Sequence, residues 1–364
     1  MSSTLLHQAI VYCEGAFNTP NGKTAHGLVR FTKRYRVLAV IDSCYSGEDA
    51  GEVLDGQVKG IPIVQDLNAA MHWAKSNNHK PTHFVIGLAP DGGKLNMVAR
   101  ETVKKAIQLG LNVDSGLHDF LSEDDEILGL AQKYKIQIRD VRKPPPRNSL
   151  HFFSGKIEEV KALKVAVLGT DSAVGKRTTA WLLVQSLQES GLRAELIGTG
   201  QTAWMQGAHY SIMLDSLIND FLTGEIEHVI WQAWQETKSD VLVIEGQGSL
   251  LNPAYPGGYE ILAAGRPDMV ILQHAPSRKD YDGFPGYPIQ PLPHQVHAIE
   301  VVSGKKVIAI TLNHENLNRK EIKVFISAIS NLIGIPTYDV LSNGASDLAR
   351  LVTTYVKNKN ISLG

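Results

Sequence analysis

The sequence predicts an α/β protein built from two domains, each around a parallel sheet. Three observations carry this. The chain has 364 residues, at the length where about two domains are expected. Short apolar, β-branched runs alternate with longer helical patterns, the signature of βαβ units. A proline-dense break at Arg142-Lys-Pro-Pro-Pro-Arg147 interrupts that alternation. Three prolines in a row continue neither a helix nor a central strand, so the break reads as a semi-rigid linker. The expected domains are residues 1–145 and 146–364.

In the first domain Val37–Ile41 and Phe84–Leu88 read as buried strands. Ile61–Val64 and Leu111–Val113 are shorter candidates, and Val98–Leu109 has helical spacing that stops at Gly110. In the second, the apolar runs are Lys164–Leu168, Ala194–Ile197, Val241–Ile244, Met269–Gln273, Val307–Leu312 and Thr337–Val340. Six such runs between helical stretches predict a doubly wound, mostly parallel sheet. From Ala275 to Pro293 the chain is dense in Pro, Gly and Tyr, which excludes a regular element and fits a functional lid or a rigid surface connection.

Composition narrows the function. Hydrophobic residues make up 43% and charged residues 20%, with a formal net charge of -1. That balance recommends neither nucleic acid nor an anionic membrane as a partner. Two cysteines, Cys13 and Cys44, offer no disulfide framework, and no Cys/His cluster has metal-ligand spacing. No apolar run approaches the ~20 residues that span a bilayer, and the N-terminus lacks a secretory pattern. A cytoplasmic protein acting on a small-molecule substrate is expected, with homo-oligomer formation left open.

The sharpest motif is Gly169-Thr-Asp-Ser-Ala-Val-Gly-Lys-Arg-Thr-Thr179, between a predicted strand and a predicted helix. This is the context of a phosphate-binding P-loop, or Walker A motif. Glycines admit the phosphates to the backbone, successive N–H groups form an anion nest, and the helix dipole adds positive charge. The whole stretch is expected to bind cofactor: Gly169, Thr170, Asp171, Ser172, Ala173, Val174, Gly175, Lys176, Arg177, Thr178 and Thr179. Two features depart from the usual pattern. Five residues separate the glycines, and Arg177 stands where a hydroxyl normally ligands Mg²⁺. A second signal is Asp240-Val-Leu-Val-Ile-Glu-Gly-Gln-Gly248, an apolar strand ending in Glu245. Open α/β sheets place their sites at such carboxyl ends. Asn313, ending another run, is a candidate to read a base edge. The first domain has no G-x-G-x-x-G after Val37–Ile41, which disfavours NAD.

The loop spacing and the Val243-Ile-Glu-Gly246 stretch resemble dethiobiotin synthetase among the P-loop ATPases. Gly22-Lys-Thr-Ala-His-Gly27, Gly87-Leu-Ala-Pro-Asp-Gly-Gly93, Asp114-Ser-Gly-Leu-His-Asp-Phe120, Gly198-Thr-Gly-Gln-Thr202 and His274-Ala-Pro276 extend a second resemblance along nearly the whole chain. With the phosphate loop, they resemble the DUF1611 family, associated with D-glutamate N-acetyltransferase of the DgcN type. The resemblance implies a Rossmann-like first domain, a P-loop NTPase-like second domain, and acetyl transfer from acetyl-CoA to the amine of D-glutamate. Acetyl-CoA carries phosphates with no obligatory metal, and Arg177 suits that cargo; no metal is expected. Such a transfer needs a base and oxyanion donors. Glu245, Asp171 and His274 are the expected catalytic residues. Arg278, Lys279, Arg30 and Gln201 are the expected substrate contacts. The alternatives are an ATP- and Mg²⁺-dependent ligase or kinase, and a nucleotide-binding regulator without turnover.

Overall fold

The computed structural model describes residues 6–362. The chain divides into two compact units, residues 1–145 with 200–208, and residues 146–199 with 209–364. The second unit therefore does not run without interruption from residue 146: after Thr199 nine residues join the first unit before the chain returns.

Among the described residues the first unit holds six strands: β1 (His7–Tyr12), β2 (Tyr35–Ile41), β3 (Ile63–Val64), β4 (His83–Ile86), β5 (Asn112–Ser115) and β6 (Ile138–Asp140). They are all parallel, in the order β3-β2-β1-β4-β5-β6. Strand side chains alternate between faces, and both faces of β1 are covered. Ile10 and Tyr12 enter one apolar cluster with Phe84 and Ile86, while Ala9 and Val11 enter the other with Val85 and Leu28. The sheet begins one strand earlier than the sequence reading places it. Ala9–Tyr12 is a short apolar run behind polar His7 and Gln8, and it is the central strand. The turn after it carries Gly15 and Gly22, which is not a dinucleotide fingerprint either.

Among the described residues the second unit holds seven strands: β7 (Leu163–Gly169), β8 (Ala194–Gly198), β9 (Tyr210–Ser211), β10 (Val241–Glu245), β11 (Met269–His274), β12 (Val307–Leu312) and β13 (Thr337–Tyr338). Their order is β13-β12-β11-β7-β10-β8-β9, again all parallel. β7 is central and every residue in it is buried. Such a strand needs cover on both faces, and reads as a continuous apolar run. Strands β6 and β9, absent from the sequence reading, are an edge strand Ile-Arg-Asp and a two-residue edge strand Tyr-Ser. Neither contains an apolar run, because an edge strand need not be buried on both faces. Parallel pairing puts the carboxyl ends of β7, β8, β10, β11 and β12 at one edge of the sheet. Among the described residues no helix is long and apolar enough to cross a membrane.

Candidate active site in the phosphate loop

β7 ends at Gly169, and helix Lys176–Glu189 begins seven residues later. Between them the backbone turns twice through the left-handed region, at Ala173 (φ 53°) and Gly175 (φ 103°). At Gly175 a side chain would be strained by the backbone alone, and its Cβ would meet Asn313 Nδ2 at 3.4 Å. The first N–H groups of the following helix have no intrahelical partner, which makes this end a site for anions.

Lys176, the first residue of the helix, is buried. Its Nζ donates to the carbonyls of Asp171 (2.7 Å) and Gly248 (2.8 Å). Burial lowers its pKa to about 8, against the pull of Glu245 and Asp171 and with the push of Arg278 and Arg177. Glu245, at the end of β10, is also buried. Its Oε1 lies 3.9 Å from Arg177 Nη1, and its Oε2 has no hydrogen-bond partner. Burial raises its pKa, while Arg177 and Lys176 hold it down. The site thus contains a carboxylate with one oxygen still to be satisfied.

The other residues nominated from sequence serve mainly to hold the loop. Asp171 is fully buried and its carboxylate is saturated. It accepts from the N–H of Ser172 (2.7 Å), Asn252 Nδ2 (2.6 Å) and the N–H of Asp282 (2.8 Å), and it pairs with Arg278 (2.9 Å). Its expected role as a base is therefore revised to one of positioning. Arg278 also donates to the carbonyl of Ser172 (2.7 Å) and pairs with Glu315. A guanidinium held by two carboxylates is not left over for a dicarboxylate substrate, and that expectation is revised too. Lys279 is exposed.

Asn313 donates to the carbonyl of Val174 (2.8 Å) and accepts from the N–H of Glu315 (2.7 Å). It braces the loop through one of its two amide N–H groups. His274 Nδ1 lies 3.0 Å from the Thr170 hydroxyl, and burial lowers its pKa to about 4. A histidine so weakly basic is neutral at pH 7 and poorly matched to a base role. Thr179 and Thr311 both donate to Gln273 Oε1 (2.5 Å each). Ser172 and Thr178 are partly buried. In the first unit, Arg30 forms a bidentate pair with Asp55 (2.7 and 2.9 Å). Gln201 belongs to the same unit and packs its Cγ against Gly116.

Residues that sequence reading passed over complete the site. Gln273 is a buried polar residue that, with His274, ends the otherwise apolar β11, and that exception was its signal. Asn252 and Glu315 lie in loops that carry no such mark, whereas Gly248, whose carbonyl Lys176 reaches, closes the turn after Glu245 that the sequence did mark. Among the described residues no group of three or more His, Cys, Asp or Glu is placed to hold a metal ion.

A family model described as the P-loop domain of DUF1611, a domain of unknown function, matches residues 151–349, and that family's N-terminal Rossmann-like domain matches residues 43–144. The chain belongs to the DUF1611 family. A crystal structure of a DUF1611 protein from Anabaena variabilis superposes with a TM-score of 0.87 at 29% identity, covering 96% of this chain and 99% of that one. Two curated relatives, from Pseudoalteromonas sp and Tritonibacter scottomollicae, are named D-glutamate N-acetyltransferase. They are 29% and 28% identical over 272 residues, spanning 73% of this chain and 79% of each relative. In DUF1611 terms, the first unit carries the Rossmann-like domain and the second the P-loop domain that holds the site above.

Proposed function

We propose that this protein is an acetyl-CoA-dependent N-acetyltransferase whose acceptor is D-glutamate or a similar acidic amino acid. The relatives' names support the reaction class. The observation that carries the reading to this chain is Glu245, a buried carboxylate with one unpartnered oxygen beside the phosphate loop.

The loop residues fit the cofactor's phosphates: the helix end, Lys176 and Arg177 together supply positive charge for a polyanion. Bound there, acetyl-CoA supplies an activated acyl thioester. Glu245 supplies what the acceptor needs. An amino acid's ammonium must lose a proton before it attacks, and Oε2 is a buried acceptor for it. Burial raises the carboxyl pKa toward the range in which a base is useful near neutral pH. Arg177 opposes that rise and occupies the position where a Mg²⁺-nucleotide site keeps its hydroxyl.

The test is calorimetric titration of acetyl-CoA with EDTA, and of ATP with Mg²⁺, followed by an acetyl-transfer assay with D-glutamate. The expected result is metal-independent acetyl-CoA binding and formation of N-acetyl-D-glutamate. Strictly Mg²⁺-dependent ATP binding without an acetyl-CoA signal would overturn the proposal in favour of an ATP-dependent enzyme. In the Arg177→Thr variant acetyl-CoA binding should weaken and Mg²⁺–ATP binding strengthen.

A further inference from the structure

The Pro/Gly-rich segment 276–291 is an ordered hairpin-like flap. Its two arms are tied by Tyr281 N–H to the Tyr287 carbonyl (2.9 Å) and Ile289 N–H to the Lys279 carbonyl (2.8 Å). Its tip is closed by Phe284 N–H to the Tyr281 carbonyl (2.9 Å) and Tyr287 N–H to the Phe284 carbonyl (3.1 Å). It is pegged to the phosphate loop at two points, Arg278 and the N–H of Asp282, both on Asp171 Oδ2. Tyr281 is buried, yet the tip presents Phe284 (39% exposed) and Tyr287 (59% exposed). Their rings meet edge to face with centroids 6.0 Å apart.

Two exposed aromatic rings on a rigid element need a reason. Phe284 is two residues from Asp282, so the chain between them spans at most about 7 Å. That is the order of distance a ribose bridges between a phosphate and its base. We propose that Phe284 and Tyr287 form a stacking subsite for the adenine ring of the ligand whose phosphates enter the loop. The proposal rests on the reading that a nucleotide-bearing ligand occupies that loop. Stacking uses the π-face of the base and needs no hydrogen-bond readout, which suits a tip that offers rings and few polar groups.

The experiment compares three ligands, inorganic pyrophosphate, ADP and acetyl-CoA, by calorimetry. The proteins are the full chain, its Lys176→Ala variant and the Phe284→Ala/Tyr287→Ala variant, each checked by its thermal melt and elution volume. The full chain should bind the adenine-bearing ligands more tightly than pyrophosphate. The double variant should lose about ten- to a hundredfold for ADP and acetyl-CoA, the range expected of base–aromatic stacking, and stay within twofold for pyrophosphate. Lys176→Ala should lose all three. ADP and acetyl-CoA affinities unchanged in the double variant would overturn the subsite while the phosphate-loop reading stands. An equal loss for pyrophosphate would also overturn it, since the tip would then act through the loop. A change only in elution volume would reassign the rings to self-association and overturn it as well. Failure of the full chain to bind any of the three would remove the phosphate-loop reading itself, and the subsite with it.

Discussion

On the proposed reading two side chains, Lys176 and Glu245, carry the chemistry of the site, and each makes a measurable prediction. Glu245→Gln keeps the shape and removes the proton acceptor. It should lower kcat by about 10²–10⁴, the range for a general base, while the Kd for acetyl-CoA changes little. Activity within about threefold of the parent would make Glu245 structural. Lys176 has a folded-state pKa of about 8, below its ordinary 10.5. Between those values the unfolded chain binds the proton and the folded chain does not. Stability from this group therefore rises with pH through the window and is lost as pH falls through about 8. An anionic ligand favours the ammonium, so above pH 8 binding must draw in a proton. Affinity should fall by up to about tenfold per pH unit there. Calorimetry in buffers of different ionisation heats should report uptake of about one proton by the parent at pH 9, falling close to none at pH 7, where the ammonium is already formed. The lysine was legible in the sequence because strand, glycine turn and helix mark its place. The pairing of Asp171 with Arg278 was not, since 107 positions separate the two and no local pattern links them.

Among the elements, the flap tests how the loop is held. Arg278→Met strands a fully buried carboxylate at Asp171, and removing one partner of a buried pair costs about 3–5 kcal/mol. Chemical denaturation should show that loss, and Asp171→Asn in the same background should recover part of it, because the orphaned charge is then gone. No recovery would mean that the pair is not what stabilises the flap. The elements divide in the same way by legibility. The buried central strands β7, β10, β11 and β12 are apolar nearly throughout, so the pattern found them. Strand β1 has four such residues and was passed over. The edge strands β6 and β9 have no apolar run to find, and the flap's arms are joined by backbone bonds that no side-chain pattern announces.

At the scale of the molecule, the parallel order of both sheets followed from the alternation of strand and helix patterns. The excursion of residues 200–208 into the first unit did not. Ala203 and Met205 are fully buried there, Trp204 packs beneath the guanidinium of Arg34 at 3.7 Å, and Gln206 donates to the carbonyls of Gly27 and Phe31. Nothing in a helical pentapeptide tells which sheet will receive it. A fragment of residues 146–364 should therefore expose these side chains, bind a hydrophobic dye and aggregate. Replacing residues 201–206 of that fragment with a Gly/Ser stretch should restore solubility, with retained circular dichroism as the check. A soluble, dye-free unmodified fragment would contradict this.

The same excursion sets a schedule for synthesis. The first unit cannot close over Met205 when residue 145 leaves the ribosome, because the helix that fills its core is still roughly sixty residues away. At 5–20 residues per second that wait is about 3–12 s. Throughout it, the pocket awaiting Met205 stays open to water, and β7 and β8 emerge while the unit before them is incomplete.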